Sequence, residues 1–543
     1  YTFDHRGNVT QVTDPLGGTT HYTYDAQDNE TTTTDPLGRT TTRSYDAYGQ
    51  VTSETDPLGR QSTTVYNTQG DITSTTDPAG HTSTNSYDSS GQLTHITDAA
   101  GQTTALDYTN SGSLSRITDP AGHATHYHYA TLHGTPLKQS ETAPDGTTTQ
   151  YTYDPAGRVT HSTRAIVTAA GQPASAIVET STYDSQGNVT SRTNATGATT
   201  TYQYDAAGQL TQETDSQGRK TTHQYTARGE KSQTTHPDGT AHETLERTIS
   251  YQYDAAGKLV QEHIEQTTPT AFDSTIDYQY DAAGNRSQRS ISHNGQTTTY
   301  QYDANDRLTQ TSDNLHGTTH YNWDTRGNLI QETSNTDNTQ YSWTTDNRLA
   351  KVTRGAKTIE YGYDTRGRRI KRLVKEGSST TETHYRIDHQ RAYSEITIES
   401  TRVDNGAWVD TVHVHTPDGV GELIASSGTT TTQYFSDGLG SVRVAQEATQ
   451  NHVFSYDAFG VELGSGEGMP DNAAGADNIG HRYTGEYTDR HTGLIYLRAR
   501  DYDPRVGRFI SMDEHPGNQR IPLTLNKYLY GNADPVNNTD PSG

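Results

Sequence analysis

Cysteine is absent from the 543 residues, so the chain can hold no disulfide and no thiolate metal site. The absence suits a chain that survives both reducing and oxidising surroundings without cross-linking. Aliphatic side chains are scarce too: hydrophobic residues make up 28%, 36 Tyr account for many of them, and Leu, Ile, Val and Phe together fall below a fifth. That composition alone predicts disorder. Basic charge is short, with 41 Lys and Arg against 66 Asp and Glu, a net of -25. Such a surface repels phosphate backbones and anionic lipid, which argues against a nucleic-acid partner. No apolar run approaches the roughly 20 residues of a membrane-spanning helix. No basic-then-apolar start resembles a signal peptide, and no segment sustains a helical period.

What the chain does have is a repeat of 21 residues that runs unbroken over residues 3–129. An aromatic residue recurs at Phe3, Tyr24, Tyr45, Tyr66, Tyr87, Tyr108 and Tyr129. Midway between these lie Asp14-Pro-Leu-Gly17, Asp35-Pro-Leu-Gly38, Asp56-Pro-Leu-Gly59, Asp77-Pro-Ala-Gly80, Asp98-Ala-Ala-Gly101 and Asp119-Pro-Ala-Gly122. A fixed period of this size means one supersecondary unit copied many times, and it outweighs the composition.

Asp at the first position, Pro at the second and Gly at the fourth are the preferences of a type I turn. Two turns per unit leave two segments of about six residues, rich in Thr, Tyr, Val and Gln, which is strand length and strand chemistry. Each unit therefore reads as a β-hairpin joined to the next. Tyr22 and Tyr24, Tyr202 and Tyr204, Tyr278 and Tyr280, and Tyr300 and Tyr302 are spaced by two, which puts both rings of a pair on one strand face. Stacked repeats predict cross-strand ladders of these rings, each contact adding about 0.5 to 1.5 kcal/mol. On the returning strand, spacings of three such as Leu93 to Ile96 predict bulges.

After Tyr129 the period loosens, and residues 167–176 read as a lengthened hairpin loop. Alternation in Ser394-Glu-Ile-Thr-Ile-Glu399 and Trp408-Val-Asp-Thr-Val-His-Val-His415 still predicts strands, and the Gly-rich residues 464–475 read as a loop. A sheet of so many twisted strands must coil. The period leaves open whether the coil is a filled solenoid or a wide wall around a space.

Tyr153-Asp-Pro-Ala-Gly-Arg-Val-Thr160, Tyr204-Asp-Ala-Ala-Gly-Gln-Leu-Thr211 and Trp323-Asp-Thr-Arg-Gly-Asn-Leu329 closely resemble the YD repeat of Rhs and wall-associated polymorphic-toxin proteins. A more specific series follows: Tyr434-Phe-Ser-Asp-Gly-Leu-Gly-Ser-Val-Arg443, Tyr456-Asp-Ala-Phe-Gly460, Tyr483-Thr-Gly-Glu-Tyr487 and Thr492-Gly-Leu-Ile-Tyr-Leu-Arg-Ala-Arg500. It continues through Tyr502-Asp-Pro504, Gly507-Arg-Phe509, Asn526-Lys-Tyr-Leu-Tyr530 and Asp534-Pro-Val-Asn-Asn-Thr-Asp-Pro-Ser-Gly543, and resembles the Rhs repeat-associated core.

The resemblance implies an all-β fold in which spiralling antiparallel hairpins form a hollow shell or cocoon, closed by a C-terminal core domain. On it, residues 1–384 are the YD-repeat shell, 385–455 continuing strands, and 456–543 the core. It implies a carrier that encloses a variable C-terminal toxin segment for bacterial competition, works with secretion or delivery machinery, and is secreted or displayed at the cell surface. The chain opens inside a repeat, at Tyr1-Thr-Phe3-Asp4, so any export address is expected upstream. The rival reading is a cell-surface adhesin or carbohydrate-binding repeat protein, with a surface glycan as partner.

The resemblance also singles out two carboxylates, Asp513 and Asp540, as an aspartic-type autoproteolytic pair. One would act as base toward water and one as acid toward the scissile carbonyl. The pattern departs from the family's at Glu514, where Pro is common, and in a longer stretch between the two Asp. The bland alternative makes both of them turn-capping residues. No cofactor is expected. His126 and His128 share a strand face, but no third metal ligand has suitable spacing.

Overall fold

The computed structural model describes the chain apart from residues 145, 147, 166–176, 194–196, 237–245, 269–271, 365, 389–394, 416–422, 428–430, 438, 448–450, 464–479 and 519. The loops expected at 167–176 and 464–475 lie outside the described residues. The described part is a 41-stranded sheet from Thr2 to Val453, in which each strand pairs antiparallel with its neighbours in the chain. A smaller sheet of four strands follows, Tyr487–Asp489, Leu494–Leu497, Arg500–Asp503 and Arg508–Phe509.

The turns of the regular repeat share one construction. At Asp56, the amide donates to the Arg60 carbonyl and the Gly59 amide donates to the Asp56 carbonyl, at 3.0 and 2.9 Å. The Asp56 Oδ1 accepts the amides of Leu58 and Arg60, and its Oδ2 accepts Arg60 Nε at 2.6 Å. Gly59 sits at φ +80°, which completes a type I turn with a G1 bulge. A second bulge stands at the other end of each hairpin: Tyr24 faces Glu30 and Thr23 faces Thr32, leaving Thr31 as the extra residue. The same shift between Leu93 and His95 explains why Leu93 and Ile96, three apart, lie on one face.

The expected ring ladders are not what the aromatic residues make. Among the described residues no Tyr–Tyr contact joins one regular repeat to the next, because Tyr-bearing strands are separated by a returning strand and so lie about 9 to 10 Å apart. Instead, in most repeats the ring that precedes the turn reaches back across the bulge to a main-chain carbonyl of the preceding hairpin. Tyr24 Oη donates to Val9 O at 2.8 Å, Tyr66 to Val51 O at 3.0 Å, Tyr108 to Leu93 O at 2.9 Å and Tyr280 to Leu259 O at 2.7 Å. Where the repeat carries tryptophan, the indole takes over: Trp323 and Trp343 Nε1 donate to Leu308 O and Leu329 O at 2.7 Å. A hydrogen-bond donor at the end of a flat ring is thus what the position requires, and Tyr and Trp both supply one.

The ribbon winds into a spiral whose opposite edges meet. The Asp-Pro-x-Gly edge of the first circuit touches the Tyr-Asp edge of a circuit some 250 residues later. Arg39 Nη2 lies 2.8 Å from Asp306 Oδ1, Asn305 Nδ2 donates to Asp56 Oδ2 at 2.8 Å, and Arg60 Nη1 donates to Thr325 O at 2.8 Å. Two repeats further along the first circuit, the Ala99 amide donates to Asp346 Oδ1 at 3.2 Å.

The face carrying the Tyr pairs points inward. From Ile249 onward this face is covered by the C-terminal core: Tyr278 packs edge-on to Phe459 at 5.0 Å, and Leu494, Val506 and Ile510 enter the cluster around Leu329 and Ile359. Between Thr64 and Ile117 this face is less covered among the described residues, whereas in the first repeat Tyr22 is buried and further on Tyr127 meets Arg366. The facing pairs Thr64–Thr75, Asn85–Ile96 and Leu106–Ile117 line this less covered stretch, Ile72 and Ile96 remain 38% and 39% exposed, and none of the buried apolar clusters contains a residue before Ile249. The coil is therefore a hollow shell, with the core domain closing one part of it.

Polar pairs fix the core onto the wall. Arg369 Nη2 contacts both oxygens of Asp501 at 2.9 and 3.0 Å while its guanidinium lies over Tyr361 and Tyr496. Tyr361 Oη donates to Asp489 Oδ2 at 2.7 Å, Arg289 Nη2 to Asp457 Oδ2 at 2.8 Å, and Tyr528 Oη to Gly327 O at 3.0 Å.

Candidate functional site

The strand Arg500–Asp503 begins just after a tight turn, Leu497 to Arg500, and this turn organises the site. Arg500 lies over the Phe509 ring at 3.6 Å and is 6% exposed. Its Nη1 donates to Lys527 O at 3.0 Å. Its Nη2 reaches two carboxylates, Asp513 Oδ2 at 3.1 Å and Asp540 Oδ2 at 3.2 Å. The two residues singled out from the sequence, 27 positions apart, are thus brought together on one nitrogen. They are joined through the cation, and they stay 35% and 27% exposed, open enough for water.

Each carboxylate also serves its local backbone. Asp513 Oδ1 accepts the His515 amide at 2.8 Å, and the Asp513 amide donates to Lys527 O at 3.0 Å. Asp540 Oδ1 accepts Ser542 Oγ at 2.9 Å and the Gly543 amide at 3.0 Å. The turn-capping role is therefore real, and it coexists with the shared cation.

The segment 540–543 is tied down along the same turn. The Ala499 amide donates to Ser542 O at 3.1 Å, and Arg498 Nη1 donates to Pro541 O at 2.6 Å. Gly543, at φ +83°, sits so close that a Cβ there would meet Leu497 O at 2.1 Å. Arg498 itself is held by Glu486 and Glu395 at 2.7 and 2.8 Å. Burial presses the Arg498 guanidinium toward its neutral form, and these two carboxylates more than offset it, keeping it firmly charged. Burial dominates at Arg500, whose affinity for its proton is lowered despite Asp513 and Asp540, and at Lys527, lowered likewise.

Arg498 and Arg500 were not marked as site residues by sequence reasoning. Their only signal was their place in the motif ending Leu497-Arg-Ala-Arg500. His126 and His128, by contrast, are both exposed on one face of the strand Ala124–Leu132. No group of three or more His, Asp and Glu that could hold a metal occurs among the described residues.

This arrangement, a hollow hairpin spiral with a core domain clamped inside it, has known counterparts. Residues 243–536, more than half the chain, match the family model described as Teneurin YD-shell. The chain belongs to the Teneurin YD-shell family. Six segments of the YD-shell, at 3–40, 45–82, 87–124, 137–172, 183–220 and 204–241, also match the RHS Repeat model. Among curated relatives, the tRNA(Glu)-specific nuclease WapA of Bacillus subtilis subsp. natto (strain BEST195) is 38% identical over 114 residues, 20% of this chain and 5% of that protein. The tRNA3(Ser)-specific nuclease WapA of Bacillus spizizenii is 41% identical over 92 residues, 17% and 4% of the two chains. The YD-shell thus aligns with about a twentieth of these relatives' length. In the crystal structure of TcdB2-TccC3-TEV, a shell of the same fold superposes with a TM-score of 0.61 at 16% identity, covering 100% of this chain and 34% of that one. TcdB2-TccC3 without its hypervariable C-terminal region gives 0.60 at 17% identity over the same shares.

Proposed function

We propose that this YD-shell encloses and carries a C-terminal effector segment of a polymorphic toxin, used in competition between bacteria. The observation that carries the reading is the coiled wall with a sparsely covered inner face between Thr64 and Ile117, where half-buried and exposed Thr, Asn and Ile offer a polar, weakly adhesive lining. Support comes also from relatives whose names record tRNA nucleases, which fits a toxin carried by a repeat scaffold. On this reading the partners are the enclosed segment and a secretion or delivery machinery, and the protein works outside the cytoplasm, secreted or at the cell surface. Limited proteolysis of a longer chain that includes the native downstream segment tests it. The expected result is a segment that resists protease until the shell is unfolded; a segment cut at the rate of a free peptide overturns the reading.

The Arg500 clamp supports self-cleavage at the core as part of the same function. In hydrolysis one carboxylate takes a proton from the attacking water as the new C–O bond forms. The other, starting as its carboxylic acid, gives its proton to the nitrogen as the C–N bond breaks, and the proton taken from water restores the pair. On this reading Asp513 and Asp540, which share Arg500 Nη2, divide this labour, and the tie along residues 540–543 holds the segment that leads to the scissile bond. In the longer chain, wild type is expected to give two masses and Asp540→Asn one; a single full-length mass for both overturns self-cleavage and leaves enclosure to the proteolysis test.

A further inference from the structure

A cavity of about 30 Å³ lies at another part of the seam, where the strands Lys220–Tyr225, Lys231–His236 and Leu259–Thr268 meet the core near Asp437, Arg443 and Asp457. Its lining is densely ionisable, and its donors and acceptors are unevenly matched.

The acceptors are satisfied. Asp437 Oδ1 takes the amides of Leu439 and Ser441, and its Oδ2 takes Arg443 Nε at 2.8 Å. Glu262 is filled by Tyr278 Oη and the Ala458 amide, and Asp457 by the amides of Phe459 and Val461 together with Arg289. The donors are not satisfied. Arg443 Nη1, which can only donate, is buried without a partner, as are His223 Nε2, His236 Nε2 and Tyr456 Oη, which donate or accept according to tautomer or rotor. Lys231, 9% exposed, makes no side-chain hydrogen bond or ion pair among the described residues. His223 Nδ1 is engaged with Thr234 Oγ1 at 3.1 Å, so its other ring nitrogen is the one left over.

A guest that meets unsatisfied donors beside saturated carboxylates must accept hydrogen bonds and need donate none. A space of this size holds one or two water-sized bodies, since a single water needs about 10 to 15 Å³. Sulfate and phosphate are too large, whereas a halide is of the right size. We propose that the cavity is a binding site for one small monoanion of the halide class, chloride in ordinary media, which joins the wall to the core at Lys231 and Arg443.

The surrounding charges set how binding responds to pH. Lys231 is faced by Asp437, Glu213 and Asp534, by Arg443, and by His223. Burial leads the causes that lower its proton affinity, and an anion against the ammonium would oppose that depression. Halide binding is therefore coupled to proton uptake and weakens as pH rises.

The test uses the whole chain. Thermal unfolding is followed in chloride or bromide and, at matched ionic strength, in gluconate or sulfate; crystals grown in bromide are measured at the bromine edge. The expected results are an anomalous peak in the cavity and a midpoint that climbs with the logarithm of halide concentration only. In Lys231→Met, checked for its β-sheet circular dichroism, halide affinity falls by about tenfold or more, the loss of one charge-assisted hydrogen bond. A bromide map with water-height density and no anomalous signal in the cavity overturns the proposal, as does a midpoint that tracks ionic strength alike in all four salts. If Lys231→Met does not fold, the wild-type map decides alone.

Discussion

Removing the hydroxyl of a single repeat tyrosine should cost much or little depending on what seals the carbonyl it serves. Tyr280 Oη donates to Leu259 O at 2.7 Å, and Leu259 is 0% exposed beneath the core. In Tyr280→Phe that carbonyl is left buried and unpartnered, which costs about 1 to 3 kcal/mol. Tyr87 makes the same bond, at 2.8 Å, to the carbonyl of Ile72, which is 38% exposed and also receives Asn85 Nδ2 at 3.1 Å. Water and Asn85 can replace the phenol there, so Tyr87→Phe should cost no more than about 0.5 kcal/mol. A chain of this size need not unfold in one step. The assay is therefore native-state amide exchange on peptides spanning each hairpin, backed by urea midpoints. Trp343 supplies the control, since Trp343→Tyr keeps a donor toward Leu329 O and Trp343→Phe does not. Equal losses at Tyr87 and Tyr280, or no difference between the two Trp343 variants, would refute the view that the repeat tyrosine is a carbonyl-binding donor.

Arg369→Met leaves Asp501 buried without its cation and should cost about 3 to 5 kcal/mol; the double variant with Asp501→Leu should recover part of that loss in the urea midpoint. Gly59→Ala and Gly327→Ala both force a side chain into left-handed backbone, at φ +80° and +86°, but space is open around Gly59, while a Cβ at 327 would lie 2.5 Å from Tyr528 Oη and 3.1 Å from Met512 Cβ. The first should cost about 1 to 2 kcal/mol of strain, and the second should in addition loosen the core, read as faster exchange of the Leu329 amide. Stability should fall as pH drops from 6.5 toward about 3, because burial holds His223 at about 3 and the unfolded chain takes up a proton that the folded chain refuses. His223→Gln should flatten that limb. Burial raises Asp534 from 3.8 to about 6, so its contribution is lost as pH rises through that window, and Asp534→Asn should remove this second slope.

Much of the wall was legible in the sequence because its contacts are local. The Asp and Gly of each turn act within five residues, so Asp56-Pro-Leu-Gly59 announces its own geometry, and Leu93 with Ile96 betrays a bulge through spacing alone. The pair Asp513 and Asp540 was recognisable from motif resemblance. Arg500, which holds the two together, was not, since nothing in its neighbours' identity says that Phe509, Lys527 and both carboxylates converge on it. The role of the repeat tyrosine was misread as ring stacking, because period shows which face a ring occupies and not the distance to the next one.

The sequence by itself determined the building unit: strand lengths, turn type, one aromatic and one polar face, and the order in which hairpins follow one another. Tertiary structure alone decided that the ribbon closes on itself as a hollow shell with its own C-terminal core packed against part of the inner face. That outcome depends on small twists summed over a full circuit, and on contacts such as Arg39 with Asp306 and Asp56 with Asn305 that join residues some 250 positions apart. It depends equally on arginines of the inner face finding their carboxylates in the core, as Arg369 finds Asp501 and Arg289 finds Asp457. A 21-residue period carries no information over such separations, so hollow and filled coils share it, and only the folded chain distinguishes them.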